Sequence, residues 1–248
     1  MQYFGIIESK YEEVFLTSSY LYFNYDDEVV TAKDIKNMIK TTKDRKKNIE
    51  GTIFIYNPVV TPVGYDSEKF LLDQDFEDFG DYVELKCETY ITIFKHAIGN
   101  RLKGKLVEIK NLFNLIEKNI NSSTLLTKFD QDLERYYTGQ NTDFDRDLMY
   151  LDANYIVPAG KFSFFCWGDK ISQKEFTFIR TYSNTIFNRI EDMGKKVAFV
   201  YKRERGLQNA KDLLQFSNPV ENYKYKNGIT NAIKEAFKEF PPTPKPYE

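Results

Sequence analysis

The chain has one histidine, one tryptophan and two cysteines among its 248 residues. A lone His96, without Cys, Asp or Ser at a defined spacing, supports neither a catalytic triad nor a metal site. Cys87 and Cys166 stand far apart with no second ligand nearby, which argues against a disulfide framework or a zinc motif. We expect two buried free thiols, with an intermolecular bridge as the alternative. No metal and no cofactor are expected.

The chain also lacks a charge excess and a long apolar run. Its 35 basic and 37 acidic residues give a net charge of −2, whereas nucleic-acid-binding proteins usually have a basic excess. No apolar run approaches the ~18 residues of a membrane span, and the first residues are too polar for a signal peptide. We therefore expect neither nucleic acid nor a membrane as a partner. Near-neutrality leaves little repulsion between copies, which favours self-association.

Aromatic residues, in contrast, are abundant: the chain has 18 Tyr and 21 Phe. Tyrosine offers rigid contact area with a polar tip, and its phenol ionises near pH ~10, close to the ~10.4 of lysine. Clustered tyrosines are therefore candidates for contacts between copies that fail in alkali. An AT-rich genome is the alternative explanation of this composition. The clusters are Tyr20, Tyr22 and Tyr25, then Tyr136 and Tyr137, then Tyr223 and Tyr225.

The residue pattern predicts a single domain over residues 1–248, mainly β with interleaved helices. Thr31 and Asp34 predict the start of a short helix that ends near Thr42. An apolar stripe predicts an amphipathic helix over residues 104–119. Ser172 and Glu175 form a capping-box pattern, which predicts a helix to about Met193. Strands are predicted within residues 1–25, 52–56, 82–94, 155–157, 162–167 and 197–201, and further short helices over 207–216 and 229–240.

Two segments imitate enzyme motifs. The loop Gly99-Asn100-Arg101-Leu102-Lys103-Gly104-Lys105 has the spacing of a phosphate-binding loop, but Leu106 stands where magnesium needs a Ser or Thr. Glu84 and Lys86 follow several aspartates, as in magnesium-dependent nucleases, where carboxylates hold the metal and lysine orients water. A turn before a basic helix and a charged strand edge are the plainer interpretations. No coherent catalytic set emerges.

A dense basic run follows the first predicted helix. Its cations are Lys43, Arg45, Lys46 and Lys47. One interpretation is that they offset the negative end of the helix dipole. The other is a nuclear import signal.

These features occur in the order seen in one family. The aromatic segment Tyr20-Leu21-Tyr22-Phe23-Asn24-Tyr25 precedes a short helix with Ile35-Lys36-Asn37, and the basic run then follows. A Pro/Gly loop over residues 57–64, the pattern that opens at Tyr182-Ser183-Asn184 and the tail Lys238-Glu239-Phe240-Pro241-Pro242 complete the order. In separated patches covering about a third of its length, the chain resembles baculovirus polyhedrin and granulin, the matrix proteins of viral occlusion bodies. A nudivirus relative would combine this likeness with the divergence elsewhere.

The resemblance implies a jelly-roll β-sandwich core with an N-terminal strand and helix arm over residues 1–50. It implies homotrimers that pack into a crystal in the host nucleus, enclose virions and release them in alkali. The family's inter-trimer disulfide would fall on Cys166, and residues 241–248 would form an arm that reaches a neighbour. The alternatives are a magnesium-dependent nuclease or nucleotide-handling enzyme, which would use Glu84 and Lys86 or the Gly99 to Lys105 loop, and an accessory protein that binds a host factor.

Overall fold

The computed structural model describes residues 1–10, 13–40, 49–56, 60–65, 80–86, 94–96, 98–116, 123–140, 150, 153, 156–166, 175–193, 196–199 and 234. Strands and helices alternate along these residues. In chain order they are β1 (Gln2–Lys10), β2 (Glu13–Tyr22), α1 (Ala32–Lys40), β3 (Ile49–Ile55), β4 (Thr61–Pro62), β5 (Tyr82–Lys86), β6 (Leu106–Asn111), α2 (Ser123–Tyr137), β7 (Phe162–Cys166), α3 (Thr177–Asp192) and β8 (Lys196–Phe199). A short 3₁₀ helix, Gly99–Arg101, precedes β6.

The described strands form one eight-stranded mixed sheet in the order β4-β5-β1-β2-β6-β3-β7-β8. From β4 to β6, neighbouring strands run antiparallel. From β6 to β8 they run parallel, and helices α2 and α3 connect β6 to β7 and β7 to β8. The predicted mixed α+β class is therefore confirmed. These strands pair in one sheet and not in two packed sheets, so they do not show the predicted jelly-roll sandwich.

Each face of the sheet has its own apolar core, because successive side chains of a strand point to opposite faces. On one face, Ile53 packs in a cluster with Ile98 and Leu102 of the segment before β6. On the other face, Phe54 packs in a cluster with residues of α2 and α3. A third cluster places Ile35 of α1 among residues of β1 and β2. We call the face that carries α1, α2 and α3 the helical face.

Helix α1 begins as the sequence predicts. The backbone N–H of Thr31 donates to Oδ2 of Asp34 at 2.8 Å, and the N–H of Asp34 donates back to Oγ1 of Thr31 at 3.3 Å. These bonds satisfy amides that the first turn of a helix leaves without partners. The Thr31 hydroxyl, which donates to Oδ2 of Asp34 at 2.7 Å, and then the Thr31 N–H hold the pKa of Asp34 below its usual value. Ile35 then faces the sheet with no exposed surface.

The amphipathic helix predicted over residues 104–119 is wrong, because this segment contains the central strand β6. Both faces of β6 are covered, so Leu106 is buried on the helical face while Val107 and Ile109 are buried on the other. Val107 to Lys110 alternate between apolar and polar side chains as a strand does, but this alternation is shorter than the apolar pattern at helical spacing. The apolar residues at 106, 109, 112 and 113 then match helical spacing by coincidence.

Other predicted boundaries also differ. Helix α3 begins at Thr177 and not after Ser172. β2 is continuous from Glu13 to Tyr22, and its pairing with β1 shifts register near Ile6. Residues 156 and 157 are not in a strand, and residues 123–137, for which the sequence predicts no helix, form α2. The strands predicted within 1–25, 52–56, 82–94, 162–167 and 197–201 are confirmed at residues 2–10, 13–22, 52–55, 82–86, 162–166 and 197–199. Residues 23–25 and 56 are not in a strand, and residue 94 is helical. Of the predicted helices over 207–216 and 229–240, only Lys234, which is helical, is described, and the tail 241–248 lies outside the described residues.

The start of α3 is held by a residue from another helix. The carboxylate of Asp130 on α2 accepts the backbone N–H groups of Phe178 and Ile179, each at 2.8 Å. A negative charge at a helix N-terminus meets both the free amides and the positive end of the helix dipole. The two helices therefore dock through a charged cap as well as through apolar contacts.

We expect Val107→Asp to lower the free energy of unfolding by about 4 kcal/mol or more, because it places a charge in the covered centre of the sheet. Val29→Asp is the matched control, since Val29 is 81% exposed, and it should change stability by at most about 0.5 kcal/mol. Urea unfolding followed by circular dichroism measures both. Equal stability of the two variants would contradict the strand assignment of β6.

We expect Asp130→Ala to lower the free energy of unfolding by roughly 1–3 kcal/mol, because two helix amides lose a charged acceptor. Asp130→Asn keeps one acceptor oxygen and should lose less. The same urea titration compares them. An alanine variant as stable as the parent would show that the cap does not stabilise the fold.

Candidate functional site

The clustered tyrosines divide between the core and the surface. Tyr20 and Tyr22 on β2 are only 7% and 3% exposed, whereas Tyr25, just beyond the strand, is 57% exposed. At the end of α2, Tyr137 is 41% exposed and its ring lies at 6.2 Å from that of Phe178, while Tyr136 is half-buried beside it. Tyr223 and Tyr225 lie outside the described residues. Within one chain, Tyr25 and Tyr137 offer exposed contact area, and Tyr20 and Tyr22 belong to the fold.

A row of polar residues crosses the helical face between its apolar clusters. The strand pairings align Tyr20 with Glu108, Glu108 with Thr52, and Thr52 with Ser163. Oγ1 of Thr52 donates to Oε2 of Glu108 at 3.1 Å, and Nζ of Lys110 lies 2.9 Å from Oε1 of the same carboxylate. The row thus places a largely buried carboxylate at the middle of the sheet.

Tyr20, at the Glu108 end of this row, contacts a second tyrosine, Tyr82. The rings of Tyr20 and Tyr82 meet edge to face at 5.9 Å, and the Tyr82 hydroxyl lies 3.1 Å from Oγ of Ser18. Burial, followed by the charge of Glu108, raises the pKa of Tyr20. Burial also raises the pKa of Tyr82, against the opposing effect of its bond with Ser18. Both phenols are therefore held in their neutral form.

Two further tyrosines meet carboxylates directly. The Tyr22 hydroxyl donates to Oε1 of Glu28 at 3.0 Å, and burial together with this bond raises the pKa of Tyr22. The Tyr150 hydroxyl lies 3.5 Å from Oδ2 of Asp132, and burial, then the charge of Asp132, raises the pKa of Tyr150. Burial also raises the pKa of Asp132, although Lys128 and Arg135 oppose the shift. A neutral phenol is a donor to the carboxylate, whereas a phenolate would repel it.

A cleft of about 560 Å³ opens beside the Tyr22–Glu28 pair. Its lining comes from the start of β1, the loop after β2, and β5. The lining includes Gln2, Asn24, Tyr25, Asp27, Glu28 and Glu84. The cleft therefore brings Tyr25, a predicted contact residue, together with Glu84, which the sequence pattern links to a nuclease-like motif.

The Gly99 to Lys105 loop does not have the geometry of a phosphate-binding loop. Such a loop follows a strand and opens a helix, whose N-terminal amides then face the phosphate. Here the segment is a 3₁₀ turn that opens strand β6 at Leu106. The segment serves packing, since Leu102 is buried and Lys103 forms an ion pair with Asp26 at 2.8 Å.

The nuclease-like residues are also separated. Glu84 accepts a hydrogen bond from Nε2 of Gln2 at 3.1 Å, Lys86 donates to the backbone oxygen of Tyr65 at 3.2 Å, and Asp81 pairs with Lys36. No group of three or more His, Cys, Asp or Glu side chains among the described residues could hold a metal ion. The preceding aspartates Asp73, Asp75 and Asp78 lie outside those residues, and His96 is exposed.

The remaining predicted site residues fall largely outside the described ranges. The basic run of Lys43, Arg45, Lys46 and Lys47 lies between α1 and β3, and Cys87 follows β5; none of them is described. Cys166 ends β7, paired in register with Ile55. The import signal and the disulfide therefore stay predictions.

Sequence reasoning missed Glu28, Glu108 and Asp132, the carboxylates that face the buried tyrosines. Glu108 carries a signal in hindsight, because a lone acid between Val107 and Ile109 stands out once that segment is taken as a strand. Glu28 and Asp132 carry none, since their partners are set by a turn and by a contact between distant segments.

The four tyrosines with a raised pKa make the fold sensitive to alkali. In the unfolded chain a phenol ionises near pH ~10, whereas in the folded chain it stays neutral to higher pH. Their contribution to stability is therefore complete below pH ~10 and is lost above it, by roughly 1.4 kcal/mol per pH unit for each tyrosine. Phenolate absorbance should show that these tyrosines ionise only at a pH well above ~10. Their ionisation should coincide with the loss of the circular dichroism signal of the folded chain.

Tyr22→Phe should reduce the difference in unfolding free energy between pH 8 and pH 11, because it removes one phenol whose pKa is higher in the folded chain than in the unfolded chain. Tyr25→Phe, at an exposed position, should keep the parent difference. If all tyrosines ionised in a single transition while the chain stayed folded, the raised pKa values of the four tyrosines would be contradicted.

No helix among the described residues is long and apolar enough to cross a membrane. Comparison of the chain with models of known families, with characterised proteins and with solved structures finds no match.

Proposed function

We propose that this chain is a structural, self-assembling matrix protein that crystallises in infected cells as a viral occlusion body, without catalytic turnover. The observation that supports the proposal is the set of tyrosine hydroxyls held against carboxylates, as in Tyr22 with Glu28 and Tyr150 with Asp132. A protective crystal has to persist at neutral pH and come apart in an alkaline gut. Buried phenols beside carboxylates give a subunit both properties.

At neutral pH each of these phenols is an uncharged donor, and few side chains titrate between pH 5 and 8 in a chain with one histidine. Above pH ~10 the unfolded chain gains phenolate charge that the fold resists, so folding becomes less favourable. Surface lysines lose their charge in the same range, which removes ion pairs between copies. Subunit and lattice would therefore fail over the same pH interval.

Contacts between copies would use exposed apolar and aromatic side chains. Tyr25, Val29 and Tyr137 supply such area on the described surface. The full proposal also includes assembly as homotrimers, a jelly-roll sandwich core and the enclosure of virions. The jelly roll draws no support from the described strands, and diffraction from crystals grown in cells would test it.

The deciding experiment is microscopy of insect cells that express this chain alone, followed by a pH titration of any particles. We expect micrometre-scale crystals in the nucleus that resist neutral detergent and dissolve near pH ~10 to 11, where tyrosine and lysine titrate. A diffuse, soluble product at high expression would contradict the matrix role.

A matched variant tests the nuclear location separately. Replacing the four cations of the basic run with glutamine should leave the protein able to crystallise but shift the crystals to the cytoplasm. The substitutions are Lys43→Gln, Arg45→Gln, Lys46→Gln and Lys47→Gln. Crystals that remain nuclear would exclude the run as an import signal.

A further inference from the structure

Residues 24–29, between β2 and α1, form a surface loop without helix or strand. We call these residues the contact loop. Both of its ends are fixed, because Phe23 and Val30 on either side are buried. The N–H of Gly104 donates to the backbone oxygen of Phe23 at 2.7 Å, and the side chain of Gln2 binds both backbone groups of Val30 at 3.0 Å. What holds the loop between these two ends is therefore a separate question.

Within the loop, Glu28 holds the backbone in place. Its Oε2 accepts the N–H of Tyr25 at 2.8 Å, and its backbone oxygen accepts Nδ2 of Asn24 at 2.9 Å. Its N–H also donates to the backbone oxygen of Tyr25 at 3.2 Å. The other carboxylate oxygen, Oε1, accepts the Tyr22 hydroxyl at 3.0 Å. One carboxylate thus connects the conformation of the loop to the protonation state of Tyr22.

The other features of the loop make it easy to open. Asp27 has a φ of 63°, in the left-handed region, which costs an L-residue conformational energy. Asp26 pairs with Lys103 at 2.8 Å, but its side chain is 88% exposed, so water screens this pair. Tyr25 and Val29 are exposed, so opening the loop removes neither of them from the core. A segment with few buried contacts opens at a lower free energy than the whole fold.

Tyr22 differs from the other three tyrosines with a raised pKa, because its carboxylate partner stands on a loop. The carboxylates near the others belong to regular elements, Glu108 to β6 and Asp132 to α2. The ring of Tyr22 packs in one cluster with Ile35 and Leu106. Movement of the loop therefore takes the carboxylate away from the hydroxyl while the ring stays packed in the core.

Glu28 is also the charged group that acts most strongly on this phenol. Burial, then the bond with Glu28 and its charge, and then Tyr25 raise the pKa of Tyr22. The residues opposite Tyr22 on β1 and β6, Gln2 and Leu106, do not titrate. A phenolate at Tyr22 would therefore act on the loop mainly through Glu28. Further titratable groups on the surrounding elements are Tyr20, Tyr82, Glu84, Lys36, Lys95 and the α-amino group of Met1.

We propose that alkali opens the contact loop locally while the rest of the fold is still intact. In the open loop, Tyr22 ionises away from Glu28, whereas in the closed loop a phenolate would repel the carboxylate that holds the N–H of Tyr25. Because Tyr25 and Val29 lie on this loop and are 57% and 81% exposed, its opening also withdraws them from neighbouring copies. This last consequence rests on the proposed matrix function.

Pulse proteolysis of the full chain in dilute solution tests the opening. A broad-specificity, alkali-stable protease is added at pH 8 and at pH 11, and mass spectrometry locates the cuts while circular dichroism confirms that the fold is intact. A free peptide with the sequence of residues 22–31 corrects for the pH dependence of the protease. Cuts within residues 24–29 should be about tenfold faster at pH 11, because each pH unit above ~10 favours an open form with an ordinary phenol by up to tenfold.

Matched variants identify the group that drives the opening. Tyr22→Phe removes the ionising group, and Glu28→Gln supplies an amide that can donate to a phenolate. Both variants should bring the corrected ratio of the two cut rates close to one. Tyr20→Phe removes a buried phenol on the same strand, beside Glu108, and should keep the tenfold ratio. Glu134→Gln removes an exposed carboxylate of α2 and should keep it too.

A tenfold ratio that persists in Tyr22→Phe would overturn the proposal, as would a ratio near one in the parent chain. Cuts that accelerate equally throughout the chain would also overturn it, because they would report global unfolding. Crystallisation in cells is scored separately. A chain that forms no crystals contradicts the matrix role, whereas the ratio of cut rates still decides whether the contact loop opens.

Discussion

Strand β6 is the constraint on which the rest of the structure depends. It pairs antiparallel with β2 on one side and parallel with β3 on the other, so it joins the antiparallel half of the sheet to the parallel half. Both of its faces are covered, so its side chains form part of the apolar clusters on both faces of the sheet. Glu108 and Lys110 are the charged side chains of this strand and pair with each other, and Thr52 and the neighbouring tyrosines are arranged around Glu108.

How much the sequence can predict depends on how local the cause is. Helix α1 is predicted well because Thr31 and Asp34 cap it from within four residues. The start of α3 is missed because its cap, Asp130, stands on another helix. β6 is misassigned because its alternation of apolar and polar residues spans only Val107 to Lys110, whereas apolar residues between positions 106 and 116 match helical spacing over a longer stretch. The error at α3 follows from a tertiary contact that a single sequence does not contain.

The same reasoning applies to the candidate site. Composition identifies tyrosine as the unusual residue, but it does not separate Tyr22, which is buried against Glu28, from Tyr25, which is exposed. The separation matters physically, because a buried phenol beside a carboxylate affects folding while an exposed one affects contacts. Tertiary structure therefore divides one compositional signal into two roles. An AT-rich genome would explain the number of tyrosines but not their pairing with acids.

Glu28 connects those two roles. One of its oxygens accepts the Tyr22 hydroxyl in the core, and the other accepts the backbone N–H of Tyr25 at the wall of the cleft. Ionisation of Tyr22 would turn the first contact into a repulsion and displace the carboxylate that holds the second. The position of the Tyr25 backbone and the orientation of Asn24, which donates to the backbone oxygen of Glu28, would then change together. The local structure at the cleft and the alkaline sensitivity of the core are thus coupled through the Glu28 side chain.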